Sequence, residues 1–159
     1  MMAQATVRVH YCDDVRQEIG GKYSLMGCYN AVMLLESADG GPCVLPKVCA
    51  AIEIFAPIAK QFNSMTIRAR LNDEVLGELV LPPEQIAAIK DKGSSPYITE
   101  PLWHGFNAFM NFTPLVVPPS GGKLRVEAVI DEETVRGNGL LLVVNGKAPA
   151  AAPDGTEKK

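Results

Sequence analysis

Period-two alternation of apolar and polar side chains is the feature that most constrains the fold of this chain. The alternation is clearest in residues 64–71, where Met65 and Ile67 alternate with Thr66 and Arg68. Successive side chains of a β-strand point to opposite faces, so this period predicts strands with one buried face. The segments predicted to be strands are 6–12, 23–35, 48–56, 64–71, 75–81, 106–113, 123–130 and 139–145.

Turn-forming residues separate these segments. Asn72-Asp73 predicts a hairpin between segments 64–71 and 75–81, and Asp131-Glu132-Glu133 predicts the tip of another. A short crossover helix is predicted to begin at Pro82-Pro83 and to end at Gly93, followed by a loop over 93–101. Segment 48–56 is apolar on both faces except at Glu53, which is typical of a central strand.

About seven or eight short strands with one helix predict an all-β fold, namely a two-sheet antiparallel β-sandwich. A parallel sheet built from βαβ units would need more helices than this sequence contains. The length of 159 residues suits one domain, which we predict to span 1–147. The Ala- and Pro-containing segment 148–159 lacks an apolar pattern and is predicted to be a flexible tail.

Charge and hydropathy exclude several classes of partner. The formal net charge is -3, and Lys and Arg are scattered along the chain, so no nucleic-acid partner is expected. The N-terminus shows no apolar signal region, and no apolar run approaches the roughly 20 residues that span a bilayer. We therefore expect no membrane partner and a cytoplasmic location.

Neither a metal site nor a cofactor is predicted. The four cysteines Cys12, Cys28, Cys43 and Cys49 lack paired C-x-x-C spacing and are predicted to be buried free thiols. Gly20-Gly21-Lys22 lacks the spacing of a phosphate-binding loop and instead predicts a tight turn before a strand. The aspartates show no D-x-D spacing, so calcium is not expected either.

Only two histidines are available for catalysis. His10 falls on the polar face of the first strand and is predicted to be a surface residue. His104 follows the sole tryptophan, Trp103, and is predicted to be structural. The chain is therefore not expected to be an enzyme, although a hydrolase or metal-dependent enzyme using His104, Asp13 and Asp14 remains an alternative.

The segment between the first two predicted strands carries the most specific pattern. Arg16 and Glu18 lie two residues apart and so share a face of an extended chain. Arg16 could reach Asp13 or Asp14 and lock this corner, or the corner could be a polar recognition surface. Both interpretations remain open from the residues alone.

The pattern C-D-x-x-R-x-E-x-G-G-K-x-S-L-x-G-x-Y, from Cys12 to Tyr29, resembles an uncharacterised family of small proteins encoded by bacteria and phages. Leu45-Pro46-Lys47 and a late Gly-x-x-Arg-x-x-x-x-x-Asp, from Gly122 to Asp131, extend the resemblance over roughly residues 7–145. The resemblance implies an immunoglobulin-like or C2-like β-sandwich with no assigned activity. It supplies no catalytic residues.

We therefore expect a non-enzymatic protein-binding or assembly module of bacterial or phage origin. Its partner would be another protein or a second copy of the chain, and a phage structural or accessory virion subunit is the alternative. Phe106 and Phe112 share one face of their predicted strand, whereas Phe109 takes the opposite face and is a candidate exposed anchor. The candidate partner-binding residues are Arg16, Glu18, Trp103 and Phe109.

Overall fold

The computed structural model describes residues 4–58, 61–92 and 103–146. These residues form eleven strands: β1 Thr6–Gln17, β2 Tyr23–Cys28, β3 Val32–Leu35, β4 Cys43–Leu45, β5 Val48–Pro57, β6 Met65–Leu71, β7 Glu74–Val80, β8 Trp103–Phe112, β9 Leu115–Val117, β10 Gly122–Ile130 and β11 Glu133–Val144. Helix α1, Pro83–Lys92, follows β7. Within the described ranges, no helix has the length and apolar character needed to cross a bilayer.

The strands form two large sheets and one small sheet. Sheet A has the order β2-β1-β5-β8, sheet B has the order β3-β11-β10-β6-β7, and β4 pairs with β9. All pairs are antiparallel except β3 with β11, which run parallel. The all-β sandwich predicted from the alternating pattern is confirmed, and β5 is the central strand that its two apolar faces indicated.

The core lies between the inner faces of the two large sheets. Alternate residues of β1, among them Val7 and Val9, pack with alternate residues of β6 and β10, such as Ile67 and Val126. Each fully buried aliphatic side chain contributes about 1.5–3 kcal/mol relative to exposure. Because the alternating pattern places these residues on one face, local strand formation and core burial reinforce each other.

Tyr11 and Asn138 join sheet A to sheet B by hydrogen bonds. The Tyr11 hydroxyl lies 3.3 Å from the Leu124 carbonyl oxygen and 3.0 Å from that of Asn138. The Asn138 side-chain amide accepts from the Val9 N–H and donates to the Val9 carbonyl, both at 2.8 Å. A side-chain amide thereby pairs with main-chain groups of β1 that point away from β5.

The structure departs from the predicted strand list in three places. The predicted strand 23–35 is divided into β2, in sheet A, and β3, in sheet B. The short strands β4 and β9 were not predicted, because three residues are too few to show a period. The parallel pairing of β3 corrects the purely antiparallel expectation. The predicted loop 93–101 and tail 148–159 lie outside the described residues.

Four arginines that are scattered in the sequence meet on the outer face of sheet B. Arg68 and Arg70 lie on β6, opposite Glu127 and Arg125 of β10, and Arg136 of β11 lies opposite Glu127. Glu127 is only 6 % exposed and accepts from the Arg70 Nε at 2.9 Å. The face therefore gathers four arginines around one buried carboxylate, Glu127, and Arg70 and Arg125 lie directly opposite each other as like charges.

Candidate binding surface on sheet A

The β1–β2 hairpin extends beyond the rest of sheet A. β1 pairs with β2 as far as Gln17 opposite Tyr23, but its pairing with β5 stops at Cys12 opposite Cys49. Residues 13–27, which we call the hairpin arm, therefore have no β5 neighbour in the plane of the sheet. The position of the arm must be set by contacts outside the sheet's own hydrogen-bond ladder.

The arm folds back across the outer face of sheet A. β2 and β8 are opposite edges of this four-stranded sheet, three strand spacings or about 14 Å apart. Nevertheless, the Tyr23 ring lies 5.1 Å from the Phe109 ring, and the Tyr23 hydroxyl donates to Glu53 at 3.2 Å. Cys49 Sγ also approaches the Asp13 carbonyl oxygen at 3.5 Å, so the base of the arm crosses over β5.

The folded arm creates a second, smaller apolar layer. Cys12 and Cys49 are fully buried and Ala51 is 1 % exposed, yet all three lie outside the core between the two large sheets. They share the outer face of sheet A with His10, which is directly opposite Ala51. The arm is therefore what covers the end of this face where Cys12 and Cys49 lie.

Asp13 and Gly27 mark the bend at the base of the arm. Gly27 has a φ of +63°, and a Cβ atom there would lie 2.1 Å from Asp13 Oδ2. The Asp13 carboxylate therefore occupies the space above Gly27, where it accepts a hydrogen bond from the Tyr29 hydroxyl. Burial of the Tyr29 hydroxyl, followed by its hydrogen bond to Asp13, raises the pKa of Tyr29 to about 12. The hydroxyl therefore keeps its proton and can donate this bond.

An ion pair between Lys47 and Asp14 also fixes the arm. Lys47, in the turn before β5, donates to Asp14 at 2.5 Å. The hydrogen bond from Lys47 holds the pKa of Asp14 below its ordinary value of 3.8. Tyr29 and Lys47 are thus the direct partners of the two carboxylates that the sequence offered to Arg16. Arg16 acts on Asp14 as a more distant charge and makes no ion pair within the described part of the chain.

The turn at the tip of the arm is held by local bonds. The Glu18 N–H donates to the Lys22 carbonyl at 2.8 Å, and Ser24 donates to the Glu18 carboxylate at 3.1 Å. Gly20 and Gly21 have φ values of +81° and +73°, as the predicted tight turn requires. Between these contacts, Ile19 is 98 % exposed.

The tip and Trp103 lie toward the same end of sheet A. The base of the arm is beside Cys49 and Tyr23 reaches Glu53, so the arm runs along β5 toward Pro57. Pro57 pairs with Trp103, which is 45 % exposed. The indole ring of Trp103 is therefore exposed at the end of sheet A toward which the arm runs.

Phe109 is not the exposed anchor that its strand position indicated. As predicted, Phe109 and the buried Phe112 point to opposite faces of sheet A. The Tyr23 ring, however, packs edge-to-face against Phe109. Phe109 is consequently half-buried under the arm. The exposed apolar side chain that the pattern missed is Ile19, because residues of a turn carry no period from which exposure can be predicted.

His104 and the two aspartates lie far apart. His104 is 6 % exposed, its Nδ1 lies 3.2 Å from the Ile89 carbonyl oxygen, and its ring faces Phe62. It pairs with Ala56, seven residues along β5 from Cys49, which corresponds to roughly 23 Å. The structure therefore does not bring these three residues into one site. In the described part of the chain, no group of His, Cys, Asp and Glu is arranged to hold a metal ion.

Three of the four cysteines form one row across sheet A. Cys12 of β1 is directly opposite Cys28 of β2 on one side and Cys49 of β5 on the other. Burial raises the pKa of the Cys12 thiol to about 11. All four thiols are free, and Cys12, Cys43 and Cys49 are buried as predicted, but Cys28 is exposed, contrary to the prediction. Cys28 lines a cleft of about 330 Å³ together with His10, Tyr29 and Asn138.

Comparison of the sequence with models of known protein families and with curated proteins gives no match. What the chain does is therefore inferred from the contacts of the arm and of the outer face of sheet A.

Proposed function

We propose that this chain is a non-enzymatic protein-binding module that contacts its partner through Arg16, Glu18, Ile19 and Trp103, the tip surface. The observation that carries the proposal is the position of Ile19, which is 98 % exposed at the tip of an arm held by specific contacts. Turn tips normally carry polar residues or glycine. An aliphatic residue presented in this way is suited to a pocket on another protein.

Burial of the tip surface would supply much of the binding free energy. Complete burial of an isoleucine side chain contributes about 1.5–3 kcal/mol, and tryptophan is among the residues that most often dominate interfaces. Because Glu53, Lys47 and Phe109 already hold the arm, little conformational entropy remains to be lost on association.

Arg16 and Glu18 would form a polar rim around Ile19 and Trp103, the apolar residues of the tip surface. Arg16 is exposed and makes no ion pair with the described residues, so its guanidinium is available to a carboxylate of the partner. Glu18 already accepts from Ser24, which orients its carboxylate beside Ile19. This arrangement of an apolar centre with charged neighbours is typical of protein–protein interfaces.

Photo-crosslinking from the tip tests the proposal. A photo-reactive amino acid replaces Ile19 in the full chain, which is then irradiated in lysate of its native host. The matched control carries the same group at Leu34, which is 77 % exposed on β3 of sheet B. We expect a discrete crosslinked product from position 19 that is absent from position 34. Replacing Trp103 by Ser in the position-19 protein should remove the product without lowering the melting temperature.

The mass of the product identifies the occupant. A product of twice the chain mass would show that the partner is a second copy, so that the module acts in assembly. A product with another protein would identify a separate partner. The same pattern of products from both positions, or none from position 19, would overturn the proposal.

A further inference from the structure

The row of Cys28, Cys12 and Cys49 has an uneven geometry. The Tyr29 N–H donates to the Tyr11 carbonyl, so the main-chain groups of Tyr11 point toward β2. Successive residues of a strand direct these groups to opposite sides, so those of Cys12 point toward β5. Cys12 and Cys49 are therefore a hydrogen-bonded pair, whereas Cys12 and Cys28 are a non-hydrogen-bonded pair.

This difference brings the side chains of Cys12 and Cys28 closer together. Cα atoms in a non-hydrogen-bonded antiparallel pair lie about 4.5 Å apart, which is within the range that a disulfide spans. Cys28 is exposed at the edge strand β2, while Cys12 beside it is fully buried. The Cys28 thiol is therefore accessible to a reagent from solution. The Cys12 thiol is positioned to displace that reagent from the Cys28 sulfur.

We propose that Cys28 and Cys12 form a redox-modification site that reacts with small-molecule disulfides and closes to a reversible intramolecular disulfide at the base of the arm. The Cys28 thiolate attacks one sulfur of the reagent, forms a mixed disulfide and releases one thiol. Cys12 then loses its proton and attacks the Cys28 sulfur, releasing the second thiol. The protein loses two hydrogen atoms and two electrons, and the reagent is reduced to two thiols.

The location of the bond gives it a structural consequence. Cys12 and Cys28 flank Asp13 and Gly27, the two residues of the bend. A disulfide there would close the whole arm into a covalent loop and restrict its opening from the outer face of sheet A. The thiol and disulfide forms of the protein would then present arms of different mobility.

Intact mass measurement of the reduced full chain after treatment with oxidised glutathione tests the proposal. We expect the wild-type mass to fall by two hydrogen atoms, and peptide mapping to show a Cys12–Cys28 bond that dithiothreitol reverses. In hydrogen exchange, the arm amides of the oxidised protein should exchange on the order of tenfold more slowly, since the closed loop limits local opening.

Three variants separate the roles of the thiols. Cys28→Ser, at an exposed position, should fold normally and gain neither glutathione nor a disulfide. Cys12→Ala should stop at the mixed disulfide and gain the mass of one glutathione moiety, whereas Cys49→Ala should still close. The proposal is wrong if the wild type keeps glutathione on Cys28 without closing, or if mapping shows a Cys12–Cys49 bond.

Discussion

Asp13 and Asp14 are adjacent in the chain, but different partners hold them. Asp13 accepts from Tyr29 and covers Gly27, whereas Asp14 pairs with Lys47. The two aspartates that follow Cys12 therefore hold the bend at the base of the arm. Gly27 is the most constrained of them, since it has both a positive φ and no room for a Cβ atom.

Gly27→Ala should lower the free energy of unfolding by about 3 kcal/mol, because the positive φ and the overlap with Asp13 each add a cost. Gly20→Ala is the matched control: its φ is +81°, but nothing lies within 4 Å of its Cβ position, so it should lose only about 1 kcal/mol. Urea unfolding measures both. Equal losses would mean that the Asp13 side chain moves aside without cost.

Among the elements, sheet B combines an apolar inner face with a charged outer face. Glu127 of β10 sits between Arg68 and Arg70, and Arg68 also contacts Glu78 of β7. Three strands are therefore linked by side chains as well as by their main-chain ladders. The side chain of Glu127 is 8 % exposed while that of Glu78 is 41 % exposed, so their energetic roles should differ.

Glu127→Gln should reduce the free energy of unfolding by about 1–3 kcal/mol, because Arg70 loses its carboxylate and a nearly buried charge network is left unbalanced. Glu78→Gln removes a solvent-exposed partner of Arg68 and should cost less than about 1 kcal/mol. Denaturant unfolding of the two variants under identical buffer conditions compares them. A loss for Glu78→Gln as large as that for Glu127→Gln would contradict this account of the ladder.

At the scale of the whole molecule, the chain contains two apolar layers of unequal size. The large layer fills the space between sheets A and B and includes residues from β1, β5, β6, β10 and β11. The small layer beneath the arm contains Cys12, Cys49 and Ala51, with Tyr23 and Phe109 at its margin. The apolar layer beneath the arm is therefore smaller than the layer between the two large sheets.

Hydrogen exchange under native conditions should separate these layers. We expect amides of residues 14–17 and 23–26 to exchange by local opening, at a lower free energy than amides of β5 and β10, which should need global unfolding. Lys47→Met should increase exchange in the arm without changing it in β10, since Lys47 contacts the arm through Asp14. Arm amides as protected as those of β5 would show that the arm unfolds only with the sandwich.

Local patterns predicted the strands and turns that depend on neighbouring residues. The hairpins at Asn72-Asp73 and at Asp131 to Glu133 were confirmed, and Asn72 and Asp131 adopt positive φ values of 54° and 53°. The helix was predicted from its prolines and ends at Lys92, next to the expected Gly93. The division of 23–35 was missed, because both halves alternate correctly and only their pairing partners differ.

The sequence by itself determined the all-β class, the central position of β5 and the turn at the tip of the arm, because period, apolarity and glycine content act locally. Only the tertiary structure decided that the arm folds back, that Tyr23 covers Phe109 and that three cysteines form a row. These features depend on register between segments distant in the chain. Cys12, Cys28 and Cys49 become neighbours only when β1 is aligned with both β2 and β5, and no local pattern specifies that alignment.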